Sequence, residues 1–310
     1  MVESGHAQRA AAGEGVLHGR HGRTWYRVVG ESSGGRLPVV LCHGGPGLTH
    51  DYLLPLAALA RTGRACVFYD QYGSGRSDHR RDAPQEFWTP ELFVEELAAL
   101  VHHLGIADGF HLLGHSWGGL LAVESALTGP PGLRSLVLAD AFASSATYIA
   151  EVGRLLGELP QPAREILERH EAGLPVDADD HRAATTAFNR RHVLRAGPPP
   201  DGLRRTMAAL AEDPTVYRAM MGESEFSMTG SLRGWDATAR LGRIRVPALV
   251  VAGRHDQVTP RTVDELHRGL PWARRIEFAD SGHLPHLEEP EAFRAAVEVF
   301  LAEVEGTPTG

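Results

Sequence analysis

Residues 114–118 read Gly-His-Ser-Trp-Gly, and Ser116 interrupts an apolar run with glycines on either side. A serine hydroxyl is a weak nucleophile near neutral pH. It needs a base, and the base needs an acid to orient it. The chain offers both downstream. Asp256 stands in "GRHDQVTP", after an apolar run, and His283 stands in "SGH", after the last strand-like run. Serine, then acid, then histidine is the order that accompanies a serine on a sharp strand-to-helix turn. The chemistry implied is acyl transfer through a covalent serine intermediate. Competing residues stand close by. Asp140 also follows a strand-like run and could serve as the acid, and His255 and His286 neighbour the preferred pair. With 17 histidines in the chain, one near any site is common, and Asp280 could do no more than shape the turn before His283.

A tetrahedral intermediate needs two backbone donors for its oxyanion. The amide of Trp117, directly after the serine, is one. The loop "HGGPG" at 43–47 offers the other, with Gly45 the first choice and Gly44 its rival. The same glycines would also suit a plain tight turn.

Elements must hold these residues in place. Strand-like runs occur at 25–29, 37–42, 65–69, 110–113, 133–140, 246–253 and 274–278. Between them lie helical patterns. Phe93, Leu97, Leu100, Val101 and Leu104 share one face at the helical period, and 118–127 forms a second apolar helix. Such alternation predicts a mostly parallel sheet with helices on both faces. From 142 to 235 the strand runs give way to helical patterns punctuated by proline and glycine, which predicts a helical cap inserted into a core of 1–141 and 236–310. A closing helix is expected from Pro290, and the tail "EGTPTG" is expected to be disordered.

Composition narrows the classes. The chain has 310 residues, a net charge of −8, and only arginine among its 31 Lys and Arg residues. No basic footprint for nucleic acid is visible. The N-terminus lacks the apolar stretch of a signal peptide, and no run approaches a membrane span, so a soluble cytoplasmic protein is the default. Cys42 and Cys66 read as buried free thiols. Neither a metal motif nor a phosphate loop is present: "DQYGSGRSD" is glycine-rich but lacks the lysine and the spacing, and Arg76 within it is expected to pair locally. No metal or cofactor is expected, and the sequence sets no oligomeric state.

The stretches "HGGPG" (43–47), "YDQYGSGRSD" (69–78), "GHSWGG" (114–119), "GRHDQVTP" (253–260) and "SGH" (281–283) together resemble the proline iminopeptidase family of serine peptidases. That resemblance implies the α/β-hydrolase fold, with an eight-stranded, mostly parallel sheet and a helical cap. It also implies exopeptidase chemistry on a small peptide or an amino-acid amide or ester. The residue released would be proline or another, often apolar, residue. The "GHSWGG" form differs from the "GGSWGS" of many proline-selective members and is nearer the broader aminopeptidases and amino-acid amidases. In the family, carboxylates hold the substrate's free amino group. By resemblance, Glu225 in "SEF" would be one, with Glu223 able to point the same way in an extended segment. Gln257 stands where members often carry a glutamate, and Gly44 would line the substrate side of the loop. Rival readings are a small-molecule esterase, lactonase or acyltransferase, and a non-catalytic small-molecule receptor that kept the fold.

Overall fold

The computed structural model describes residues 11–306. Eight strands form one sheet: β1 (Gly13–Gly19), β2 (Gly22–Val29), β3 (Val39–Cys42), β4 (Cys66–Tyr69), β5 (Phe110–His115), β6 (Leu133–Ala139), β7 (Ala248–Gly253) and β8 (Ala273–Phe278). Their spatial order is β1-β2-β4-β3-β5-β6-β7-β8. The β1/β2 and β2/β4 pairs are antiparallel, and the pairs from β4 through β8 are parallel. The parallel strands are buried on both faces, so β3, β4, β5 and β7 are apolar or buried along their whole length. β1 was not read in the sequence. It is an edge strand, "GEGVLHG", mostly exposed and partnered only by β2.

The helices are α1 (Pro90–His103), α2 (Trp117–Leu127), α3 (Ser145–Gly157), α4 (Gln161–Glu171), α5 (Ala178–His192), α6 (Asp201–Glu212), α7 (Thr215–Met220), α8 (Pro260–Gly269), α9 (Pro285–Glu288) and α10 (Pro290–Val304). Thr89 starts α1 by accepting from the Leu92 amide, with Pro90 at the first position where no amide hydrogen is needed. Side chains of β3 alternate between the two cores. Val40 and Cys42 pack with α1 and α2, while Val39 and Leu41 pack with Phe293, Val297 and Leu301 of α10. Cys42 and Cys66 are free and buried, and burial pushes both thiols up to about 12.

Between β6 and β7 the chain forms α3 to α7 and no strand. The two ends of this segment meet. Ser144 and Asp236 form an antiparallel bridge, Ser145 donates its amide to the Trp235 carbonyl at 3.0 Å, and Ala237 donates to Ala143 at 2.9 Å. The two ends of the segment are thus held side by side by backbone hydrogen bonds.

The tail departs from expectation. Thr307–Gly310 lie outside the described residues, but Glu305 is an anchor. Its carboxylate accepts from both Arg64 guanidinium nitrogens, the Leu37 amide and Arg36. Side chains of Arg64 and Glu305 are 1% and 4% exposed. The polar letters of "EGTPTG" hid a buried ion pair with a partner far away in sequence.

Candidate active site

Ser116 ends β5 and caps α2 with φ 54 and ψ −122, a region that a non-glycine residue occupies only when its surroundings force it. The forcing is visible. A Cβ on Gly114 would lie 2.0 Å from the Gly118 carbonyl oxygen, and one on Gly118 would lie 2.0 Å from the Cys42 oxygen. Only glycine lets β5, α2 and the end of β3 approach this closely. The turn places Ser116 on the wall of a cavity of about 780 Å³. Trp117 is the first residue of α2, so its amide has no partner within the helix.

His283 lies on the same wall. Its Nδ1–H donates to Asp256 Oδ1 at 2.7 Å, which leaves the Nε2 lone pair free as a base. Asp256 Oδ1 also accepts the Val258 amide at 2.9 Å. Burial pulls the His283 pKa down, but the charge and hydrogen bond of Asp256 outweigh it, with Glu225 and Glu288 behind. The result lies above the ordinary 6.5.

The rival residues separate cleanly. His286 is buried against Tyr52, His115 and Phe293, outside the cavity lining, and burial pushes it down to about 3. His255 turns its backbone carbonyl to His192 Nδ1. Asp280 is exposed. Asp140 is fully buried beside Asp256, but no hydrogen bond joins it to His283 among the described residues.

The 43–47 loop is fixed by groups that the sequence reading did not single out. The Gly44 amide donates to the Tyr52 hydroxyl at 2.8 Å. That hydroxyl donates to His115 Nδ1 at 2.8 Å, and His115 Nε2–H donates to the His283 carbonyl at 2.8 Å. Burial, with the His283 and His286 rings close by, pushes the His115 pKa well below its ordinary value, so the ring is neutral, as this chain of donors requires. Gln71 binds the loop from the other side. Its amide groups contact His43 Nε2 and the His43 carbonyl, and its side-chain oxygen accepts from Trp117 Nε1. Gln71 was the informative letter of "DQYGSGRSD". Arg76 pairs not within its own loop but with Glu14 of β1, 62 residues away, at 3.2 Å, and its guanidinium lies 4.5 Å from the Trp25 ring centroid. Two corrections follow. Gly44 is absent from the cavity lining and its amide is already used, so it offers neither a substrate contact nor an oxyanion donor. Gly45 lines the cavity.

Glu225 and Gln257 meet in the cavity wall, where Gln257 Nε2 donates to Glu225 Oε2 at 3.1 Å. Burial pushes the Glu225 carboxyl above its usual range, opposed by the Gln257 hydrogen bond and the His283 charge. Glu223 points elsewhere: it is exposed and pairs with Arg218 at 3.3 Å. The Gly222–Gly230 segment is a turn, not an extended strand, so alternate residues do not share a side. The 142–235 segment contributes Phe142, Tyr148 and Tyr217 to the same wall. It also holds the loops that carry Gln257 and His283 directly. The His192 carbonyl, at the end of α5, accepts the amides of Gln257 at 3.3 Å and His283 at 3.1 Å, and the Val193 carbonyl accepts His283 at 3.0 Å.

No described helix is long and apolar enough to cross a membrane. The family described as the alpha/beta hydrolase fold matches residues 38–290. A proline iminopeptidase of Saccharolobus solfataricus is 34% identical over 279 residues, covering 90% of this chain and 88% of that protein. The crystal structure of proline iminopeptidase from Mycobacterium smegmatis superposes with a TM-score of 0.90 at 40% identity, covering 94% of this chain and 98% of that one. The crystal structure of VinJ superposes with a TM-score of 0.91 at 43% identity, with the same coverages. With the seryl turn, the hydrogen-bonded histidine and aspartate, and these likenesses over nearly its whole length, the chain belongs to the proline iminopeptidase family of serine hydrolases with the alpha/beta hydrolase fold.

Proposed function

We propose that the protein is an aminopeptidase that releases the first residue of a small peptide, amino-acid amide or arylamide, in the cytoplasm. The observation that carries this reading is the Glu225–Gln257 pair in the same cavity wall as Ser116 and His283. A half-buried carboxylate there gives an ammonium group a partner and fixes how far the first carbonyl can lie from the serine. Residues 142–235 act as the cap, supplying the apolar walls around that first residue.

Ser116 Oγ attacks the carbonyl while His283 Nε2 takes its proton. Asp256 holds the imidazole in the Nδ1–H form and stabilises the imidazolium. The amides of Trp117 and Gly45 receive the oxyanion. His283 then protonates the leaving amine, which departs and leaves an acyl-serine. Water repeats the sequence and frees the amino acid. His283 relays each proton, from Ser116 to the leaving amine and then from water back to Ser116.

An ammonium and a carboxylate about 4 Å apart attract by roughly 4 kcal/mol at an effective dielectric near 20, before desolvation. The net contribution of a charged hydrogen bond is about 1.5–3 kcal/mol. Glu225→Gln should therefore lower kcat/KM for free-amine arylamides by about tenfold or more and leave N-acetylated ones nearly unchanged. Gln257→Glu should raise the preference for the free amine. Equal turnover of free and acetylated substrates, with a ratio that neither substitution moves, would replace this reading with an esterase or acyltransferase.

A further inference from the structure

Behind His283 stands a second carboxyl group. A carboxylate oxygen of Asp140, one of Asp256 and a ring nitrogen of His283 lie within 4.8 Å of one another. Both acids are buried, at 0% and 2% exposure. Hydrogen bonds account for one oxygen of each. Asp140 Oδ1 accepts the Gly253 amide at 3.1 Å, and Asp256 Oδ1 accepts from His283 and Val258. The Oδ2 atoms of both residues are buried without a partner. A buried polar atom left unpaired is costly, and two adjacent buried anions cost more. Among the described residues no arginine pairs with either acid. His115 Nε2 is 3.8 Å from Asp140 Oδ2, but its proton goes to the His283 carbonyl and the ring is neutral. Glu288, the other charged group acting on Asp140, is negative. A single proton shared between the two carboxyl groups would give both orphaned oxygens a partner.

We propose that Asp140 is a neutral carboxylic acid that donates its proton to Asp256 Oδ2, making it a positioning residue for the acid that orients His283. Burial, the Asp256 charge and the Asp256 hydrogen bond all push the Asp140 carboxyl far above the ordinary carboxylate range, against the pull of the Gly253 amide. The donated bond holds the Asp256 carboxylate through the oxygen that His283 does not use. It also keeps the charge behind the imidazole at one unit rather than two. The backbone prepares the position: Asp140 has φ 53, a conformation that aspartate and asparagine adopt more readily than other side chains.

This inference rests on the catalytic reading of Ser116, Asp256 and His283, which fluorophosphonate labelling of wild-type Ser116 checks separately. The test is Asp140→Asn beside Asp140→Gly. Asparagine keeps a donor and the left-handed backbone, and glycine keeps the backbone alone. Two readouts are taken: the infrared difference spectrum between wild type and Asp140→Asn near pH 7, and the acid limb of kcat/KM for each protein. The proposal expects the substitution to remove a protonated-acid carbonyl band while the carboxylate bands stay. It expects Asp140→Asn to hold kcat/KM and its acid limb close to wild type, and Asp140→Gly to lose about tenfold or more in kcat. Loss of a carboxylate band instead would overturn it. So would an acid limb that moves down by about a pH unit or more in Asp140→Asn, because that shift reports removal of a charge beside His283. An Asp140→Asn protein that does not fold also counts against it, since asparagine matches the shape and donor of a neutral acid.

Discussion

Ser116 is held at φ 54 by glycine contacts that admit no Cβ, so its hydroxyl is aimed by the backbone rather than by its own hydrogen bonds. Replacing the side chain should therefore remove chemistry and leave structure. Ser116→Ala should lose all fluorophosphonate labelling and turnover with little change in Tm; labelling that persists would move the nucleophile elsewhere. His283→Ala should lower kcat by several orders of magnitude, because only the oxyanion donors and binding remain. An active His283→Ala beside a dead His286→Ala would reverse the assignment. The His283 pKa also sets a pH window. It is raised above 6.5, and the neutral form is the base, so activity is full above that pKa and falls as pH drops through it. A free α-amino substrate loses its charge near pH 8, so kcat/KM for free-amine arylamides should fall again above about that pH. Acetylated substrates should keep only the acid limb. An alkaline limb shared by both substrate types would assign it to the protein instead.

At the scale of elements, the 43–47 loop and the His283 loop are joined through Tyr52 and His115. Tyr52→Phe would leave the Gly44 amide and His115 Nδ1 unpaired, and each buried orphan costs about 1–3 kcal/mol. Tm and kcat should fall together, and a loss of Tm alone would sever the chain from catalysis. At the other end of the sheet, Glu305→Ala strips Arg64 of its buried partner, a loss of about 3–5 kcal/mol. The pKa of Glu305 is held far below its ordinary value; although burial opposes this, His111, Arg64 and the Leu37 amide outweigh it. Its contribution is thus present above the unfolded pKa near 4.3 and lost as pH falls towards the folded value. Acid melts should show a shallower decline in Glu305→Gln than in wild type; parallel curves would sink the assignment. The legible elements were those whose burial is local. Val39–Cys42 and Ala248–Gly253 are apolar throughout because helices cover both faces, and the seryl turn announces itself by its glycines. The edge strand Gly13–Gly19 carries too little apolar pattern to be read alone. The 3-10 run His50–Thr62 contains Pro55 and also went unread. Tyr52, Gln71 and Glu305 act through partners distant in sequence, and no spacing rule discloses them.

Over the whole molecule, one cavity of about 780 Å³ receives walls from the sheet edge and from the 142–235 segment together. Met207 and Leu203 of α6 line it, and Met207 is half exposed. Met207→Ala should raise KM for substrates with a long apolar leaving group by roughly fivefold, the contribution of about one buried kcal/mol, while the labelling rate of Ser116 stays put. A changed labelling rate with unchanged KM would place Met207 in the structure of the active site rather than in its specificity. Turnover should survive exhaustive EDTA dialysis, since the steps assigned here use only the chain's own groups; metal-restorable loss would contradict that. The carbonyls of His192 and Val193 have a further consequence, for anyone who would engineer the enzyme. They accept the backbone amides of Gln257 and His283, so the 142–235 segment is a jig on which the His283 loop is set. Grafting the whole insert from a relative to import its substrate range would hand the histidine a foreign support. Grafts that exchange α3, α4 and α6 but keep the end of α5 should carry new specificity without misaligning the base.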